Sequence, residues 1–95
     1  MASNRVRYSK QALADLHSIK RYIAERNPAA AERVIASIQH SISNLENHPL
    51  MGIREPNGNG RLLFESRYRY VISYSVSGRE VQIRYIFHPR RNRRS

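Results

Sequence analysis

The apolar residues of this chain change period once, near its middle, and that change restricts the fold more than any other feature. From Ser9 to Leu45 they recur at helical spacing: Ala12, Leu16, Ile19 and Ile23 with Leu13 beside them, then Ala31, Ile35, Ile38, Ile42 and Leu45 with Val34 widening the stripe. From Tyr70 onward they alternate, through Tyr70, Ile72, Tyr74 and Val76 and again through Val81, Ile83, Tyr85 and Phe87. Steps of three and four line one face of a helix, and steps of two line one face of a strand. The chain therefore divides into a helical part and a sheet part.

Local punctuation sets the boundaries. Arg5-Val6-Arg7-Tyr8 alternates charged and apolar residues and reads as a short first strand. Ser9 follows at an N-cap position, and a first helix is expected to run to about Arg26. Asn27-Pro28 is a second start signal, because Asn caps well and Pro at the first helical position gives up only an N–H that would lack a partner. Two helices joined so tightly form an antiparallel hairpin. His48-Pro49 ends the second helix, and residues 51–60, rich in turn formers, are the one segment expected to be mobile. Three strands are expected at about Arg61 to Ser66, Tyr68 to Val76 and Glu80 to Phe87, the last two joined through Ser77-Gly78. The fold class is α+β: an N-terminal strand, a two-helix antiparallel hairpin, and a three-stranded antiparallel meander completing one sheet. Residues 1–95 are expected to form a single domain, with 90–95 a basic flexible tail.

At 95 residues the chain buries only about 60 to 65 per cent of its unfolded surface, which leaves no room for a second core. There is no cysteine, which removes disulfides and thiolate metal sites, and no opening apolar run of signal-peptide or membrane-span length. A cytoplasmic protein with no membrane contact is the expectation. The net charge of +10 is unevenly placed: Arg61 to Ser95 holds nine Arg against two Glu, whereas Ser9 to Asn47 holds five basic residues against four acidic ones. Charge that served solubility alone would have no reason to concentrate on the sheet. Arg forks match carboxylate and phosphate geometry, so the partner is expected to be anionic.

Several segments together carry a family resemblance. Tyr8-Ser9, the run Ala12 to Ile19, Tyr22-Ile23-Ala24, Asn27 to Arg33, then Ile38, Ile42, Leu45, Pro49 and Gly52 resemble the helical hairpin of the RelE/ParE toxin superfamily. Arg61-Leu62-Leu63, Tyr68, Tyr70-Val71-Ile72, Tyr74, Val81-Gln82-Ile83, Ile86, His88 and Arg91 resemble its sheet. The resemblance implies the toxin of a type II toxin–antitoxin system, held in a hetero-oligomer by an acidic antitoxin. Two activities are implied by its branches: ParE-like binding and inhibition of DNA gyrase, or RelE-like metal-independent cleavage of mRNA on the ribosome. A general basic nucleic-acid-binding protein is a third reading, but it leaves the hairpin motifs unexplained.

Cleavage of RNA needs proton transfer and fixed cations around the phosphorane. His88 would be the acid or base, Arg61 and Arg91 the principal cations, and Glu55 a loop carboxylate, although a lone Glu in such a loop is usually solvated. Nuclease members of the family usually carry an Arg within the third strand, close before its central Tyr. Here Tyr70, Val71, Ile72 and Ser73 fill the stretch between Arg69 and Tyr74. That departure, with the Asn27-Pro28 turn and Arg61-Leu62-Leu63, leans toward the ParE-like branch, a binder rather than an enzyme. Its contacts to target or antitoxin are expected from Arg61, Tyr68, Arg69, Arg84, Arg90 and Arg91, with Tyr68 the expected exposed aromatic. No cofactor and no metal are expected, since His17, His40 and His48 lack ligand spacing.

Overall fold

The computed structural model describes residues 3–56 and 58–90. In chain order they form β1 (Arg5–Tyr8), α1 (Lys10–Ala24), α2 (Pro28–Ser43), a 3-10 turn (Asn44–Glu46), β2 (Ile53–Arg54), β3 (Arg61–Glu65), β4 (Tyr70–Ser77) and β5 (Glu80–Phe87). Both helix starts follow from their caps. The Ser9 hydroxyl accepts from the Ala12 N–H at 3.0 Å, and the Asn27 side chain accepts from the Ala30 N–H at 3.0 Å with Pro28 opening α2. Each satisfies a donor that the first helical turn leaves unpaired. α1 ends at Ala24, two residues earlier than expected. α2 gives way to the tighter 3-10 turn before Leu45, which is still fully buried.

One mixed sheet has the order β1-β5-β4-β3-β2. β1 runs parallel to β5, and every other neighbouring pair is antiparallel. Between those two strands the chain runs through the helical hairpin and then β2, β3 and β4, well beyond the dozen or so residues a parallel connection needs. The meander of β3, β4 and β5 is as expected. β2 is an addition: two residues of the supposed loop pair with β3, so the segment expected to be mobile is partly tied into the sheet. Gly78, first of the two residues between β4 and β5, takes φ of +60°, which the mirror-image hairpin turns need and which glycine adopts freely.

The core lies between the hairpin and one face of the sheet. Ala12, Leu16, Val34, Ile38, Ile42 and Leu45 pack on Leu63, Tyr70, Ile72, Tyr74, Val81, Ile83 and Ile86. The expected alternation on β5 fails after Ile83. Tyr74 pairs with Ile83 but Ser73 pairs with Tyr85, so Arg84 is an extra residue in a β-bulge. A bulge shifts the side-chain phase by one. Ile86 therefore enters the core at 3% exposure, while Tyr85 and Phe87 are turned to the opposite face and stack on each other at 5.9 Å between ring centres.

Candidate functional site

The hairpin covers only one face of the sheet, and the two faces present different surfaces. On the covered side, the second half of α1 stands away from the ends of β4 and β5 and leaves a groove. Asp15, Ser18, Ile19 and Tyr22 line one wall, and Tyr70, Ile86, Phe87 and His88 line the other. β1 stops pairing with β5 at Ile83, and the start of α1 takes over that edge. The Ser9 hydroxyl donates to the Arg84 carbonyl at 2.8 Å while it caps the helix. Further along, the Asp15 carboxylate accepts from the Ile86 N–H at 2.9 Å and from the Gln11 amide at 2.8 Å. These bonds satisfy strand groups that would otherwise form an open edge. They also occupy Asp15, an acidic group lining a groove whose remaining walls are largely apolar.

On the open side, the register aligns Phe64, Val71 and Phe87 in one row and Leu62, Ser73 and Tyr85 in the next. The residues of central β4 are buried, whereas Phe64 is 55% exposed. Ile53, paired with Leu62, adds further exposed apolar surface to this face.

The cations fall into separate places. The Arg61 guanidinium donates to the carbonyls of Gly52 at 2.7 Å and Leu50 at 3.2 Å, which fastens the chain ahead of β2 to the start of β3. Tyr74 completes the same fastening: its hydroxyl donates to the Pro49 carbonyl at 2.8 Å and accepts from the Gly52 N–H at 2.9 Å. A Cβ at Gly52 would stand 2.6 Å from the Leu62 carbonyl oxygen, so only glycine fits there. Burial pushes the Tyr74 phenol above its ordinary pKa, opposed by the Gly52 N–H and by Arg61; burial likewise raises Tyr8. Arg84, on the bulge, stands 3.9 Å from the Glu55 carboxylate and near the Tyr85 ring. Glu55 is not solvated as expected, since it also accepts from the Ser73 hydroxyl at 3.1 Å and pins its loop onto the sheet. Sequence alone did not reveal this because its partner, Ser73, is buried at an unremarkable strand position.

His88 stands apart from these groups. Its ring meets the Tyr70 ring edge-on at 5.1 Å, and its Nδ1 accepts from the Arg90 N–H at 3.2 Å. Arg61 pairs with Tyr74, four residues along β4 from Tyr70. At about 3.3 Å of rise per residue the two positions are roughly 13 Å apart. The structure thus places His88 beside the start of β4 and Arg61 beside its middle. Arg91 lies outside the described residues, as does the expected tail beyond Arg90. Among the described residues no three metal-ligating side chains gather. No helix among them is long and apolar enough to cross a membrane.

The turn from β3 to β4 is built on a carboxylate that sequence reading passed over. Glu65 is 1% exposed. One of its oxygens accepts from the Ser37 hydroxyl at 2.6 Å and the Arg67 N–H at 3.1 Å, and both oxygens receive the Tyr68 N–H. The Tyr70 N–H reaches the other oxygen at 3.3 Å. An acid at an inward strand position, two residues after Leu63, was the available signal, because a buried carboxylate must find donors. Tyr68, expected to be exposed, is half-buried against the core, and Phe64 and Tyr22 are the exposed aromatics instead. Arg69 lies exposed at the end of the turn with φ of 68°.

This topology recurs in solved structures of toxin–antitoxin systems. A chain of the chromosomal ParDE system of P. aeruginosa superposes with a TM-score of 0.79 at 23% identity, covering 90% of this chain and 95% of that one. One from the RelBE2 complex of Mycobacterium tuberculosis gives 0.65 at 21% identity, covering 90% and 98%. In sequence, a relative from Sinorhizobium fredii named as a toxin, Y4kP, is 33% identical over 88 residues, or 93% of this chain and 91% of its own. The family model for the ParE toxin of type II toxin–antitoxin systems matches residues 6–93, and the chain belongs to that family.

Proposed function

We propose that this toxin arrests growth by binding DNA gyrase in the cytoplasm, and that an acidic antitoxin silences it by filling the α1–β5 groove. The observation that carries the gyrase reading is the dispersal of the would-be nuclease groups. Arg61 is engaged by loop carbonyls beside the middle of β4, and His88 packs on Tyr70 at its start. General acid–base catalysis needs its groups within hydrogen-bond reach of one reacting centre. A binding toxin has no such requirement and draws on exposed charge and shape. Purified toxin added separately to a gyrase supercoiling assay and to translating ribosomes tests the reading. Gyrase inhibition is expected, weakened more by Arg90→Ala with Arg91→Ala than by His88→Ala. Ribosomal mRNA cleavage abolished by His88→Ala would overturn it in favour of the endonuclease.

The groove supports an amphipathic antitoxin segment. Ile19, Tyr22, Tyr70 and Ile86 offer apolar walls for a helix face, as in other helix-in-groove complexes. Basic residues on the sheet would meet its acidic side. Because apolar burial persists when charges are screened, affinity is expected to fall only moderately with salt. Complete dissociation at about 0.5 M salt, where the Debye length is only a few ångströms, would rule out this mixed interface.

A further inference from the structure

We infer that the corner formed by the β3–β4 turn and the open-face row beside it is a second docking surface, for an acidic protein segment with apolar anchors. The inference does not depend on which macromolecule the toxin arrests. A shallow pocket there is lined by Phe64, Ser66, Arg69, Tyr70, Val71 and Pro89. Arg90 follows Pro89 in the chain and is exposed, as are Arg67 and Arg69.

Three observations set this corner apart from a solvated turn. The first is its foundation, because the buried Glu65 carboxylate takes the N–H groups of Arg67, Tyr68 and Tyr70 and ties them to Ser37 on α2. Burying a carboxylate is costly unless its donors are all in place, so the turn is held in one shape. The second is Arg69 itself. Its φ of 68° is a left-handed conformation that glycine or asparagine adopts at lower cost, yet the position carries a guanidinium pointing from a fixed backbone. Arg67 is also oriented, with its guanidinium 5.8 Å from the centre of the Tyr68 ring. The third is the neighbouring row of Phe64, Val71 and Phe87, of which Phe64 is 55% exposed.

The layout selects the occupant. Arg67, Arg69 and Arg90 stand at one end, around the turn, the adjoining row of Phe64, Val71 and Phe87 is apolar, and Arg84, farther along, is met by the Glu55 carboxylate. A nucleic-acid strand needs cations along its length to meet successive phosphates. An acidic peptide needs forks only where its carboxylates fall, and its apolar side chains cover the row.

The test uses the full-length isotope-labelled protein and a short Glu/Leu repeat peptide as probe, with a single-stranded oligothymidylate as the rival. Amide shifts with the peptide are expected to cluster at residues 64–71 and 87–90. Arg67→Glu with Arg69→Glu, both on exposed side chains, is expected to weaken binding by at least about tenfold. Arg69→Gly supplies the residue the backbone prefers, so the thermal midpoint is expected to hold while peptide binding still drops. Shifts confined to the groove of Ile19 and Tyr22, no shifts at the corner, undiminished binding by Arg69→Gly, or displacement of the peptide by the oligonucleotide would each overturn the inference.

Discussion

The two faces of the sheet are built from the same strands and are finished in opposite ways. On the covered face, Tyr70, Ile72, Tyr74, Ile83 and Ile86 are sealed by the helical hairpin, and no more than 3% of any of them is exposed. On the open face, Val71 and Ser73 are just as buried, but only because the side chains of flanking strands and the Glu55 loop close over them. The outermost residue of that closure, Phe64, remains half in water. The difference separates two roles for one sheet: the covered face supplies cohesion, and the open face keeps exposed apolar surface beside exposed cations, which is what the proposed docking surface requires.

That contrast can be broken by mutation, and the expected effects fall off from core to surface. Ile38, fully buried under the covered face, is the most sensitive point. Ile38→Ala is expected to cost about 2–5 kcal/mol through lost transfer energy and a cavity. Chemical denaturation measures it, and an unchanged midpoint would mean that the α2 stripe does not carry the core.

Glu65→Gln probes the link between the faces. It replaces an acceptor oxygen by an amide that points donors at donors, and is expected to cost about 1–3 kcal/mol. Hydrogen exchange at Arg67, Tyr68 and Tyr70 should accelerate selectively; uniform protection would show that the turn stands without the carboxylate.

Tyr74→Phe removes the hydroxyl that bridges Pro49 and Gly52, at an expected cost of about 1–2 kcal/mol. It also carries a pH signature. Because the folded-state pKa of Tyr74 is raised above the ordinary 10.0, the unfolded chain loses this proton first as pH climbs. The phenol's contribution is complete below pH 10.0 and is lost as pH rises toward its folded value. The wild type should therefore lose stability in alkali more steeply than Tyr74→Phe, which parallel titrated melts would reveal.

Phe64→Ser is the smallest effect on the fold and the sharpest test of the comparison. An exposed side chain away from the covered core is expected to change stability by less than about 0.5 kcal/mol. Binding of the Glu/Leu peptide should nevertheless weaken several-fold. A large stability loss with unchanged binding would show that the open face is a second core.

The sequence by itself determined the element types and their order. Caps and periodicity are local, so Ser9, Asn27-Pro28 and the alternation along β4 carry their meaning within a few residues. The family motifs from Tyr8 to Arg91 likewise survive as linear spacing. What only the tertiary structure decided depends on which residues meet across long separations. The bulge at Arg84 is a matter of register between β4 and β5, with Tyr74 on Ile83 and Ser73 on Tyr85, and the phase change it brings sends Ile86 inward and Tyr85 outward. Glu55 finds Ser73 18 residues away, Ser37 finds Glu65 28 residues away, and Asp15 finds the Ile86 N–H 71 residues away. No pattern in the linear chain marks these partners, because a polar side chain's role is set by the donors and acceptors that folding delivers to it. For the same reason the basic residues looked like one site in the sequence. In space, Arg61 and Arg84 fasten loops, while Arg67, Arg69 and Arg90 remain exposed.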